Sequence, residues 1–215
     1  MKLLVLGANG RTGQEVVKQA LEKGHEVIAY VRREGTLEKQ NNLNIIIGEI
    51  HEVNKLSEAM EGIDAVIITL GNSIKNRNNS LFEIVIPPII KAANQAKITR
   101  IISLSALGVG DTYKNTMYPY RLGVKTFLKG NFEDHYKGES ILMNSKVNWS
   151  TIHPGPLFDG TKTENPLIAY GNSNIKMPRS PRTHRADVAN LILNIINDNK
   201  TYKQKVLISS NNKSK

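Results

Sequence analysis

Seven short runs of this chain are largely apolar, and between them the apolar residues spread out to a spacing of three and four. The runs are KLLVLG (2–7), EVIAYV (26–31), NIIIG (44–48), AVIITL (65–70), RIISLS (100–105), VNWSTI (147–152) and KVLISS (205–210). Strands covered on both faces read this way, so the pattern predicts a mainly parallel sheet between layers of helices. Helical spacing follows in Val16, Val17, Ala20 and Leu21, with Gly24 as the stop. It returns in 53–62 with Leu56, Ala59 and Met60 inward, then in 79–97, 134–145 and 185–198. Pro87 and Pro88 are expected to kink the third of these stretches or to begin a second segment. Strict alternation of strand and helix predicts an open, doubly wound α/β sheet of the Rossmann type with right-handed crossovers. One domain is expected over 1–210, with a small substrate-side loop region around 156–182 and a disordered tail at 211–215.

The junction of the first strand and first helix carries Gly7, Gly10 and Gly13. Glycine weakens strands and helices alike, so three in seven residues serve something other than local stability. In a doubly wound sheet this loop is where a dinucleotide pyrophosphate rests. Gly7 permits the turn out of the strand, Gly10 lets backbone approach the phosphates, and Gly13 lets the helix pack close. The helix start offers unpaired N–H groups and the positive end of its dipole. The cradle read here comprises Gly7, Asn9, Gly10, Arg11, Thr12 and Gly13, with Arg11 and Thr12 able to add side-chain donors.

The second strand selects the cofactor. An NAD site places Asp or Glu at its end to bind the ribose 2′-hydroxyl. Here the end reads Tyr30-Val31-Arg32-Arg33, with no carboxylate before Glu34. Arg32 suits a 2′-phosphate, which a carboxylate would repel, so NADP(H) is expected over NAD(H). Leu70 and Gly71 end the fourth strand and should pass the middle of the cofactor. Pro154, Gly155 and Pro156 form a rigid loop placed against the nicotinamide.

The spacing G-x-x-G-x-x-G in GANGRTG, with the following GHEVIAYVR, resembles the atypical short-chain dehydrogenase/reductases. Within them the chain is most similar to the NAD(P)H-binding group that includes NmrA-like proteins and the biliverdin-IXβ/flavin reductases. The resemblance extends through RIISLSALG, STIHPGPLFDG and THRADVANLIL, in the order of that group. It implies an acidic residue near the adenine at Glu49, with Ile50 packing beside the ring.

Many relatives carry Tyr-x-x-x-Lys, whose tyrosine supplies a proton. No tyrosine here has a lysine four residues on; Tyr120 and Lys125 are five apart, and Tyr113 and Tyr118 lack such a partner. The catalytic candidates are then Ser105 and His153. Ser105 ends the fifth strand, where its hydroxyl either bonds a substrate or satisfies loop backbone. His153 follows the sixth strand as either a proton donor or a strand-end residue. The biliverdin/flavin reductases place a histidine two positions later, where this chain has Gly155. Phe158, Tyr170 and Met177 are candidate walls of the substrate side, or core filler.

Composition narrows the classes. Of 215 residues, 40% are hydrophobic and 22% charged, and there is no cysteine, which excludes disulfides, thiolate catalysis and sulfur-ligated metal. The five histidines stand on separate elements without metal-ligand spacing, so no metal site is expected. Lys and Arg total 29 against 19 Asp and Glu, a net charge of +10. The basic residues are scattered, with no basic helix and no interleaved aromatics, which points away from a nucleic-acid partner. No apolar run reaches membrane-span length, and a strand at Lys2 leaves no room for a signal peptide, so a cytoplasmic protein without a membrane partner is expected. Two functions fit: an NADPH-dependent reductase of a planar small molecule such as a flavin or quinone, or a cofactor-binding sensor of the NmrA type acting through a protein partner.

Overall fold

The computed structural model describes residues 1–35, 37–71 and 80–211. Most of the expected tail, 212–215, lies outside them. All seven expected strands are present: β1 (Lys2–Leu6), β2 (Glu26–Val31), β3 (Leu43–Ile47), β4 (Ala65–Ile68), β5 (Arg100–Leu104), β6 (Asn148–Pro154) and β10 (Gln204–Ser209). Three more, β7 (Leu157–Phe158), β8 (Leu167–Tyr170) and β9 (Thr183–His184), lie in or just past the stretch 156–182 read as a substrate-side loop region. The main sheet runs β3-β2-β1-β4-β5-β6-β10-β8. Every pairing in it is parallel except β8 against β10. The doubly wound class read from the sequence is therefore the fold observed.

Helices α1 (Arg11–Glu22) and α6 (Arg185–Asn194) cover one face of the sheet, and α2 (Val53–Ala59), α3 (Leu81–Gln95) and α5 (Lys129–Met143) the other. A short α4 (Tyr120–Lys125) precedes α5. One core layer joins Val16, Val17 and Ala20 to Val188 and Ile192; the other joins Leu56 and Met60 to Ile86, Ile89 and Leu142. Strands β1, β4 and β5 are buried almost throughout, whereas β3 at the sheet edge is half exposed. That difference is why the inner runs are continuously apolar.

No second segment begins at the prolines: one helix continues through Pro87 and Pro88. Proline removes the bond to the carbonyl four residues back, here those of Glu83 and Ile84. Both of those residues are exposed, so water can satisfy the released groups. The opposite side of the helix still buries Phe82, Ile86, Ile89 and Ala93.

Met177 is also not a wall. It is fully buried in a small core with Leu107, Ala169 and Leu207. No helix among the described residues is long and apolar enough to cross a membrane.

Candidate functional site

The order of the main sheet reverses between β1 and β4, and the exits of these two strands diverge there. Gly7 leaves β1 with φ of +85°, and a Cβ on it would lie 2.9 Å from the Thr69 carbonyl carbon. A Cβ on Gly13 would lie 2.2 Å from the Gly7 carbonyl oxygen, so α1 is seated directly on the loop that precedes it. Gly10 caps α1 without any side-chain bond, which leaves the N–H groups of the first turn for a ligand.

A cavity of about 640 Å³ opens over these strand ends. It gathers Gly7, Asn9, Gly10, Arg32, Glu49, Ile50, Leu70 and Gly71, eight of the cofactor residues expected from the sequence. Arg33 and Tyr30 stand in it as well. Asn9 donates its Nδ2–H to the Arg33 carbonyl at 3.1 Å and so ties the glycine loop to the arginine pair. Tyr30 donates to the Glu49 carbonyl at 3.2 Å; burial first, then Glu52 and Glu49, push its pKa up to about 12, so it stays a neutral donor. Glycines where a Cβ would collide, unpaired N–H groups and exposed arginines suit the pyrophosphate and 2′-phosphate of a dinucleotide.

The other expected residues lie outside this cavity. Thr12 and Gly13 are buried in the first turn of α1. Arg11 turns to Asp159 at 3.5 Å, and the same carboxylate receives Arg185 at 2.6 Å. Pro154 and Gly155 are buried, and Gly155 is packed so closely that a Cβ would meet Pro181 at 2.7 Å. Pro156 and Phe158 line a second, apolar cleft of about 610 Å³ between α4 and the segment 179–182. Tyr170 stands on β8 and does not line it.

Ser105 and His153 meet in a buried polar cluster that no sequence spacing announces. The Ser105 hydroxyl donates to the Glu139 carboxylate in a short bond. Lys205 Nζ faces the other Glu139 oxygen at 3.3 Å and reaches Asp111 at the surface at 2.5 Å. Lys205 holds that second oxygen as an ion pair. His153 is 0% exposed. Its Nδ1 lies 2.9 Å from the Ala106 carbonyl, which can only accept, so the ring proton sits there. Nε2 then accepts from Thr151 at 2.9 Å. Burial holds the His153 pKa below its ordinary value, against the pull of Glu139. Burial alone would lower the Lys205 pKa, but Glu139 and Asp111 outweigh it and raise it. The lysine is therefore charged and the histidine neutral near pH 7.

Tyr113 has a lysine neighbour after all, twelve residues on instead of four. Lys125 Nζ lies 5.5 Å and the Arg121 guanidinium 4.5 Å from its ring centre. Burial would raise the phenol's pKa; the two cations beside it prevail and lower it. Tyr113 lines neither cleft.

The profile of the NAD(P)H-binding family matches residues 7–199. The photosystem II assembly factor Ycf39 of Synechocystis is 41% identical over 69 residues, which cover 31% of this chain and only 21% of that protein. A wide-type short-chain dehydrogenase/reductase from Veillonella parvula, solved in complex with NADP, superposes with a TM-score of 0.80. It is 14% identical, over 100% of this chain and 96% of its own. ChuY, an anaerobillin reductase from Escherichia coli O157:H7, superposes with a TM-score of 0.75 at 19% identity, over 100% of both chains. At these identities the two solved structures share the fold.

Proposed function

The chain belongs to the NAD(P)H-binding family, and from that premise we propose that it is a reductase that uses NADPH to reduce a planar acceptor such as a flavin or quinone. The observation that carries this reading is the pair of clefts at the C-terminal ends of the strands. One joins the glycine loop to Arg32; the other is apolar and walled by Pro156 and Phe158. Bound NADPH supplies the reactive hydride, and the chain supplies orientation and exclusion of water. In this reading Gly7, Gly10 and the start of α1 hold the pyrophosphate, and Arg32 the 2′-phosphate. Glu49 and Ile50 flank the adenosine, and Leu70 and Gly71 pass the middle of the cofactor. The Pro154–Pro156 loop fixes the nicotinamide.

No side chain is assigned as an essential acid. Ser105 commits its proton to Glu139, and His153 is enclosed and neutral. Water then protonates the reduced acceptor. Ser105 acts as a positioning residue at the β5 exit, where Leu107 N–H donates to the Pro154 carbonyl at 2.8 Å and joins that exit to the nicotinamide loop. Ser105→Ala should therefore lower kcat by about tenfold or less, short of the 10²–10⁴-fold loss of a positioned proton donor. The KM for NADPH should hold, and the pH–rate profile should stay flat from about pH 6 to 8, where an active histidine would titrate. A limb near neutrality that disappears in His153→Gln would make the histidine the acid and overturn this assignment.

NADP(H) is proposed as the preferred cofactor. A charge-assisted contact contributes about 1.5–3 kcal/mol, or roughly tenfold to a hundredfold in affinity. Arg32→Ala should lose that much for NADPH and little for NADH in paired titrations; equal losses would remove Arg32 from the role. The function itself is tested by NADPH oxidation with a panel of flavins and quinones. Ycf39 is named as an assembly factor, and that likeness supports a second reading: a cofactor-binding sensor acting through a protein partner. Tight NADPH binding with no oxidation by any acceptor would favour it.

A further inference from the structure

The apolar cleft beside Pro156 has a charge pattern of its own. Its walls are Leu122 and Phe127 from the α4 side and Phe158 from β7. Phe127 is 77% exposed and Leu122 53%, an unusual cost for large apolar side chains on one rim. Arg179 and Arg182 line the cleft as well, and among the described residues no carboxylate does. Asp159, next to Phe158 in sequence, is occupied by Arg185 and Arg11, and Asp187, five residues past Arg182, accepts from Thr163 and Ser210. Among the described residues neither Arg179 nor Arg182 makes an ion pair.

Arg182 is held in place. Its guanidinium carbon lies 4.4 Å from the centre of the Phe158 ring. Its main-chain N–H donates to Asn211 Oδ1 at 2.9 Å, and its main-chain carbonyl accepts from Ser210 N–H at 2.8 Å and from the Ser209 hydroxyl at 3.2 Å. Pro181, next to it, is seated on Gly155 in the loop assigned to the nicotinamide. The backbone of Arg182 is thus tied to the segment that packs on this loop, and its guanidinium to the Phe158 wall. A guanidinium stacked on an aromatic ring keeps its N–H edge free for an oxyanion.

We propose that this cleft takes the electron acceptor, and that the acceptor is a planar aromatic molecule bearing an acid group held by Arg179 and Arg182. The proposal rests on the reductase reading and narrows it. The rings lie against Leu122, Phe127 and Phe158, and a phosphate, sulfonate or carboxylate reaches the arginines at the mouth. An uncharged quinone or flavin would fill the same walls and leave both cations unused.

Matched acceptors test it: riboflavin against its 5′-phosphate, and 1,4-naphthoquinone against its 2-sulfonate. In the wild type the acidic member of each pair should have a kcat/KM at least about tenfold higher, the range for a hydrogen bond to a charged group. Arg179→Gln/Arg182→Gln should bring that ratio to about one, and Arg179→Lys/Arg182→Lys should restore part of it. Turnover with no preference for the acidic member, or a preference that survives the Gln pair, overturns the proposal while leaving the reductase reading intact. If no acceptor is reduced, binding of both flavins with NADP⁺ present is read by quenching of their fluorescence. Tighter binding of the phosphate form, lost in the Gln pair, would keep the anion site and discard the reductase reading. Equal binding, or none, would discard the site as well.

Discussion

Gly13→Ala should cost on the order of a hundredfold in NADPH affinity, the effect of displacing positioned groups by about 1 Å. The new Cβ would lie 2.2 Å from the Gly7 carbonyl oxygen and 2.8 Å from the Ala8 Cα. Both neighbours are backbone, so no rotamer relieves the contact. Helix α1 must move off the loop, and the N–H groups of its first turn move with it. Overpacking of this kind costs about 1–3 kcal/mol in stability, and the melting temperature should fall. Gly24→Ala is the control. Gly24 has φ of +75° but nothing within 4 Å of its Cβ position, so it carries backbone strain without a collision. That variant should lose about 1 kcal/mol of stability and keep its affinity. Isothermal titration with thermal melts on both variants decides the matter. Unchanged NADPH affinity in Gly13→Ala would mean that the loop does not hold the pyrophosphate.

The contrast between these two glycines shows what the sequence makes legible. A strand, a glycine triplet and a helix are adjacent in the chain, so their roles follow from local spacing. Arg32, Leu70 and Gly71 were equally readable, because each lies at the end of a strand whose place in a doubly wound sheet is fixed by the alternation; Glu49 and Ile50 came from the family resemblance alone. All of them reach one cavity with the glycine loop. The parts that escaped are those made by distant segments or by very short ones. Strands β7 and β9 have two residues each and carry no period. Strand β8 is antiparallel, half exposed and set in a stretch rich in turns. Tyr113 and Lys125 meet across the bend between a 3₁₀ turn and α4, where helical i, i+4 arithmetic does not apply. Glu139 looks like any polar residue of an amphipathic helix, and Lys205 like the first solvated residue of a strand. Only the packing of α5 and β10 against the ends of β5 and β6 turns them into partners of Ser105 and His153.

That packing makes Lys205→Met the substitution with the largest expected effect on stability, a loss of about 3–5 kcal/mol. Stability of a domain this size is about 5–15 kcal/mol in total, so the loss is a large share of it. The Glu139 side chain is 4% exposed and that of Lys205 8%. A buried carboxylate without its cation keeps the full cost of leaving water. Ser105 offers only one hydrogen bond, and His153 is neutral and directs its lone pair, not a proton, toward Glu139. The lost contact with Asp111 adds little, since that side chain is 62% exposed. Removing both charges should cost much less than removing one. Lys205→Met/Glu139→Gln keeps an acceptor for the Ser105 hydroxyl and leaves no ion in the interior, so it should recover most of the loss. Urea unfolding of the wild type, both single variants and the double variant gives the coupling directly from the midpoints and slopes. Lys205→Met should be the least stable of the four, and the coupling should be at least about 2 kcal/mol, as for groups in one buried network. A cost below about 1 kcal/mol for Lys205→Met, or additive single losses, would mean that water reaches Glu139 and that the cluster under the β5 exit is not a closed one.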